Sequence, residues 1–142
     1  MQAMNVNDVF LENDNCLTLA VTSGKGGVGK SNLVANLALQ LGRRGKKVMV
    51  LDADMGMANM DVILGVRPRY TLYHVIEGRK DLLQTVTSVT ENVKLIAGGS
   101  GIMGLADLEI DRRSRIFESL KKIRQYTDIL LIDTGAGLSP NV

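Results

Sequence analysis

The eight residues Gly24-Lys25-Gly26-Gly27-Val28-Gly29-Lys30-Ser31 constrain this chain more than any other stretch. They follow directly on an apolar run rich in β-branched residues, Cys16 to Thr22 (CLTLAVT), and lead straight into an amphipathic stretch. Glycine reaches backbone angles closed to other residues, so successive N–H groups can turn inward as a nest for anionic oxygens. A helix beginning at Lys30 adds the positive end of its dipole at the same place. The spacing G-x-x-x-x-G-K-[ST] is met in full, with a strand before it and a helix after it. Lys30 is then placed to contact the β and γ phosphates of a nucleotide, and the Ser31 hydroxyl to ligate Mg²⁺. The candidate nucleotide-binding residues therefore run from Gly24 to Ser31, together with Asn32 behind them.

The rest of the chain alternates strands with helices. From Lys30 to Arg44 the apolar positions Leu33, Val34, Leu37, Ala38 and Leu41 form a stripe of helical period, and Gly42 and Gly45 are expected to stop it. Lys47–Asp52 (KVMVLD), Val93–Ala97 (VKLIA) and Asp128–Asp133 (DILLID) read as further strands. Short helical pieces are expected at Asn59–Leu64, Thr71–Glu77 and Asp81–Val86, and a longer helix at Asp111–Tyr126. Strands apolar on both faces, separated by helices, predict a mostly parallel sheet with helices on both faces. In such sheets the chemistry sits at the C-terminal strand ends. Three strands end in motif residues: Ser23-Gly24, Asp52 and Asp133.

Asp52 and Asp54 lie in LDADMGMANMD, just past the second strand. A carboxylate there can hold a metal's water shell or orient the attacking water in phosphoryl transfer. Asp133 closes an apolar strand, where a carboxylate reaches Mg²⁺ through water. Thr134-Gly135-Ala136-Gly137 behind it can move when a γ-phosphate leaves.

Lys25 is not required by the general phosphate loop. The pattern K-G-G-x-G-K-[ST] resembles the deviant Walker A family of MinD/ParA-type P-loop ATPases. DADMGMANMDVILG, LIAGGSGIMGLADL and LLIDTGAGLS together look like its MinD-like regulators of flagellar number and placement (FlhG, FleN, YlxH). The resemblance implies a P-loop NTPase fold and an ATP-dependent homodimer in which Lys25 reaches the partner's phosphates. It implies that Lys25, Lys30 and Asp54 are catalytic, Asp54 by positioning the water. Asp52 and Asn59 would support the first switch, with ATP bound and Mg²⁺ held by Ser31 and Asp133. An FlhF-type GTPase or other flagellar assembly proteins are the implied partners.

Residues 1–15 are expected to be an N-terminal arm, and 16–142 the N-terminal portion of the ATPase domain. The adenine-binding segments and a C-terminal membrane-contacting helix of such proteins would lie beyond Val142, so the fold is expected to be incomplete here. The apolar strand LTLAV would then be an exposed edge. MinD-type division-site selection is the alternative function, followed by a nucleotide-binding module without activity. An iron–sulfur carrier ATPase, which needs a Cys-x-x-Cys pair, and a DNA-partition ATPase are further rivals.

Composition bounds the remainder. A net charge of +2 in 142 residues makes no case for nucleic acid. The one cysteine, Cys16, cannot form an internal disulfide, and no apolar run approaches membrane-span length, so a cytoplasmic location is expected. Cys16 is expected to be a small buried hydrophobe. His74, without a second ligand nearby, reads as a satisfied helix residue. Arg112, Arg113, Arg115, Lys121, Lys122 and Arg124 read as the solvated face of a helix, and Met55, Met57 and Met60 as either interface padding or core.

Overall fold

The computed structural model describes residues 15–22, 29–54, 59–99 and 109–134. Five strands form one sheet: β1 (Leu17–Val21), β2 (Val48–Asp52), β3 (Val86–Ser88), β4 (Val93–Ile96) and β5 (Ile129–Asp133). Their order is β1-β5-β2-β4-β3, with all neighbours parallel except the β3/β4 pair. The helices are α1 (Lys30–Arg43), α2 (Met60–Leu64), α3 (Leu72–Ile76) and α4 (Ile110–Gln125), with a 3₁₀ turn at Leu82–Thr85.

Strand alternation decides which side each residue serves. On one face Val48 and Val50 of β2, Leu95 of β4 and Leu131 of β5 pack with Val34, Ala35 and Ala38 of α1 and Met60 of α2. On the other, Met49 and Leu51, Ile96 and Leu130 pack with Leu72 and Ile76 of α3 and with Ile116, Leu120 and Ile123 of α4. Because both faces of β2 and β5 are covered, both strands are apolar almost throughout. The expected mostly parallel sheet with helices on both faces is present. Cys16 is buried against the α4 side, as expected. Met60 is fully buried and belongs to the core; Met55 and Met57 lie outside the described residues.

β1 stands at the edge of the described sheet, hydrogen-bonded only to β5, with Leu17 54% and Leu19 38% exposed. This is the exposed edge anticipated for LTLAV. Among the described residues no helix is long and apolar enough to cross a membrane.

Three expectations are corrected. The stretch Asp81–Val86 is a 3₁₀ turn followed by strand β3, which pairs antiparallel with β4. Arg124 is not on a solvated face: it is 4% exposed and donates to the Cys16 carbonyl at 2.7 Å. Gly42 does not stop α1. It lies inside the last turn, where the Asn92 side chain donates to its carbonyl at 2.9 Å. The stop is at Gly45, whose φ of 84° suits glycine.

Gly42 is there for contact. A Cβ at that position would meet Val93 Cγ2 at 2.5 Å. Val93 is fully buried at the start of β4, so little room exists for it to yield. Gly42→Ala is expected to destabilise the fold by about 1–2 kcal/mol, overpacking outweighing the gain in helix propensity. Urea unfolding checks this: an unchanged or raised midpoint would mean that α1 and β4 separate freely.

Candidate nucleotide-binding site

Three parallel strands end side by side. Val21 is in register with Asp133, and Asp133 with Asp52. The Ala53 N–H donates to the Asp133 carbonyl at 2.9 Å, and the Thr134 N–H and hydroxyl donate to the Val21 carbonyl at 3.2 and 2.9 Å. Parallel pairing with no stagger thus brings residues 21, 52 and 133 to one edge, at the C-terminal ends of the strands.

α1 starts at the same edge. Gly29 precedes it with φ 83°, a left-handed conformation with open space around the Cα. Here the backbone angle, not crowding, calls for glycine. The first turn then presents Lys30 and Ser31. The Lys30 ammonium is ion-paired with Asp133 Oδ1 and also donates to the Thr134 carbonyl. The Ser31 hydroxyl donates to Asp133 Oδ2 at 2.7 Å. Asp133 is 1% exposed, and both of its oxygens are occupied by α1.

Asp52 is the second buried carboxylate, 2% exposed. It accepts the Met60 N–H at 3.1 Å and the Asp54 N–H at 3.3 Å, so it ties the end of β2 to the start of α2 across the segment between them. Burial pushes its carboxyl up from 3.8 to about 6. The Met60 and Asp54 N–H groups oppose that rise, and the negative charges of Asp133 and Asp54 add to it.

Between pH 4 and 6 the folded state holds a proton on Asp52 that the unfolded chain has lost. Stability contributed by this group therefore falls as pH rises through that window and stays lower above it, by about 3 kcal/mol at neutral pH for a shift of this size. Asp52→Asn removes the titration. The stability gap between parent and Asp52→Asn is expected to move against the parent as pH rises from about 4 to about 7. Urea midpoints across that range test it, and parallel pH profiles would refute the raised carboxyl.

The sequence-derived candidates divide as follows. Gly24, Lys25, Gly26, Gly27 and Val28 lie outside the described residues. Gly29, Lys30, Ser31, Asp52 and Asp133 converge on the strand ends, and Asp54 stands half-buried just past β2. Asn32 and Asn59 are exposed; Asn59 caps α2 through its carbonyl, which accepts the Ile63 N–H at 3.1 Å, and its side chain makes no cap hydrogen bond. Sequence reasoning placed Thr134 in a mobile loop and missed that its carbonyl takes Lys30. Its position directly after the strand-end carboxylate was the available signal.

His74 is satisfied as expected: its Nδ1 accepts the Thr71 N–H at 3.0 Å. Ser31 Oγ and the Asp133 carboxylate are adjacent hard oxygen donors, which fits Mg²⁺. Among the described residues there is no cluster of three or more His, Cys, Asp or Glu that could hold a metal. An ion with so few protein ligands draws the rest from water and phosphate, as Mg²⁺ commonly does.

Comparison with known proteins adds the family. The family described as AAA domain matches residues 17–140. The chain belongs to it. Two relatives are similar to this member of the AAA domain family over most of its length. Antiactivator FleN of Pseudomonas aeruginosa is 41% identical over 124 residues, covering 87% of this chain and 44% of that protein. Flagellum site-determining protein YlxH of Helicobacter pylori is 38% identical over 138 residues, covering 97% of this chain and 47% of that protein. Among solved structures, the septum site-determining protein MinD of Pyrococcus horikoshii, complexed with Mg-ADP, superposes with a TM-score of 0.69 at 31% identity. That match covers 87% of this chain and 51% of that one. The chain thus spans about half the length of the relatives it matches. The resemblance read from the motifs, to MinD-type ATPases and flagellar-placement proteins, agrees with these likenesses.

Proposed function

We propose that this chain carries the phosphate- and metal-binding half of a Mg²⁺-dependent ATPase switch that dimerises on ATP and regulates flagellar number or placement. The observation that carries the reading is the convergence of Lys30, Ser31 and Asp133 on three aligned parallel strand ends, with Asp52 and Asp54 beside them. That edge has the Lys30 ammonium for phosphate, oxygens for a metal and a carboxylate for water. The flagellar role rests on the likeness to FleN and YlxH. Division-site selection is the second reading, favoured by the likeness to MinD.

Lys30 is paired with Asp133 and donates to the Thr134 carbonyl; a triphosphate would compete for its ammonium, and transfer from carboxylate to phosphate oxygens would free Asp133. Ser31 and Asp133 would hold Mg²⁺, which neutralises phosphate charge when bound. Gly24 to Gly29 would supply N–H groups to the phosphates, and Asn32, in the first turn of α1, would complete the nucleotide-binding set. Asp54 orients the attacking water, and Lys25 and Lys30 stabilise the charge on the transferring group. Asp52, bonded to Met60 and Asp54, holds the switch segment that includes Asn59. Residues 16–142 act as this portion of the domain, with 1–15 as an arm. Partners such as an FlhF-type GTPase would read the dimer.

Calorimetric titration of ATP and GTP, with and without Mg²⁺, tests the site. Tight ATP binding that requires Mg²⁺ is expected in the parent, and in Ser31→Ala the gain from Mg²⁺ is expected to be lost, leaving weak binding with or without the ion. No heat with Mg-ATP would sink the reading.

A further inference from the structure

The opposite end of the sheet carries a second feature, which the nucleotide reading does not use. A hollow of about 560 Å³ opens where β2 and β4 begin, since Lys47 and Asn92, just ahead of those strands, line it. Buried Met49 and Ile123 back it, and Leu83 and Tyr126, 48% and 77% exposed, flank it. Lys47 and Lys94 bring positive charge to it, with Glu91 as the carboxylate among its lining residues. A hollow with an apolar back and basic edges suits an apolar segment carrying acidic residues.

This chain contains such a segment, attached at that spot. Asn15 lines an adjoining hollow that shares Lys47, Tyr126 and Thr127 with the first. Residues 1–14 lie outside the described residues. Their sequence contains Asp8, Glu12 and Asp14, no Lys, Arg or His, and the apolar run Val9-Phe10-Leu11 with Val6 ahead of it. Four residues lie between Phe10 and Asn15, so the five Cα steps reach up to about 17 Å. Tethering makes docking intramolecular, so weak complementarity suffices.

We propose that Val6–Leu11 of this chain docks in the hollow at the foot of the sheet, Phe10 against Met49 and Ile123 and the acidic residues toward Lys47 and Lys94. The arm is then an internal ligand for the face opposite the phosphate site. A nitroxide on Asn7→Cys tests this in the full chain, because the native Cys16 is buried and resists labelling. The Leu83, Val86 and Ile123 methyl NMR signals are expected to lose most of their intensity. Adding Phe10→Asp is expected to restore all three, and separately Leu83→Asp to restore those of Val86 and Ile123, with Leu130 and Leu131 signals unmoved as a check on the fold. Equal broadening with and without Phe10→Asp would overturn the proposal. So would broadening carried between chains in a sample mixing nitroxide-labelled with isotope-labelled protein, which would assign the hollow to a second copy.

Discussion

Lys30→Met is expected to lower Mg-ATP affinity by at least about 100-fold and to destabilise the nucleotide-free fold by about 3 kcal/mol. The first effect is the loss of a charge-assisted contact to phosphate. The second comes from the ion pair itself. Lys30 and Asp133 have side chains only 9% and 1% exposed, so removing the ammonium leaves a buried carboxylate with the Ser31 hydroxyl as its remaining side-chain partner. The double variant Lys30→Met with Asp133→Asn removes the stranded charge. It is expected to recover most of the lost stability and none of the binding. Urea unfolding and calorimetry on the parent and both variants separate the two effects. If the double variant were no more stable than Lys30→Met, the pair would not be what couples α1 to β5.

Asp54→Ala is expected to leave Mg-ATP binding within about threefold while hydrolysis falls by about 10²–10⁴, the usual range for losing a positioned general base or water-orienting group. Asp54 stands one peptide beyond Ala53, whose N–H is bonded to the Asp133 carbonyl, and its own N–H is held by Asp52. Its backbone is therefore fixed beside the strand-end carboxylate, and the substitution removes chemistry while the tether stays. Phosphate release under saturating ATP is the readout. Unchanged turnover in Asp54→Ala would take the water-orienting role away from this residue, and a parallel loss of binding would make it a binding group instead.

Much of both fold and site was legible because it is written locally. The glycine spacing before Lys30, the helical stripe of α1 and the apolar strands ending in Asp52 and Asp133 are patterns within a dozen residues. The starts of α3 and of the 3₁₀ turn are local too: the Thr71 N–H is bonded to the His74 side chain at 3.0 Å, and the Asp81 N–H to the Gln84 side chain at 2.9 Å. Each depends on backbone groups three residues away, which a sequence displays directly.

What failed involved partners distant in the chain. Val86–Ser88 has too few residues to announce a strand after a helical start. It becomes one because β4 offers a free edge, with Val86 opposite Ile96. Arg124 looks like any basic residue on a charged helix, yet it reaches a carbonyl 108 residues away. Gly42 reads as a helix stop until Val93, which the sheet holds against it, shows that the missing Cβ matters.

The sequence by itself determined most of the elements and the strand ends at which the motif residues lie, because period, glycine spacing and strand-end charge are short-range properties. The tertiary structure alone decided the strand order β1-β5-β2-β4-β3, the joining of Lys30 and Ser31 to Asp133, and the raised carboxyl of Asp52. Those depend on burial and on contacts across about a hundred residues, where dielectric and register are set by the packed sheet and not by neighbours in the chain.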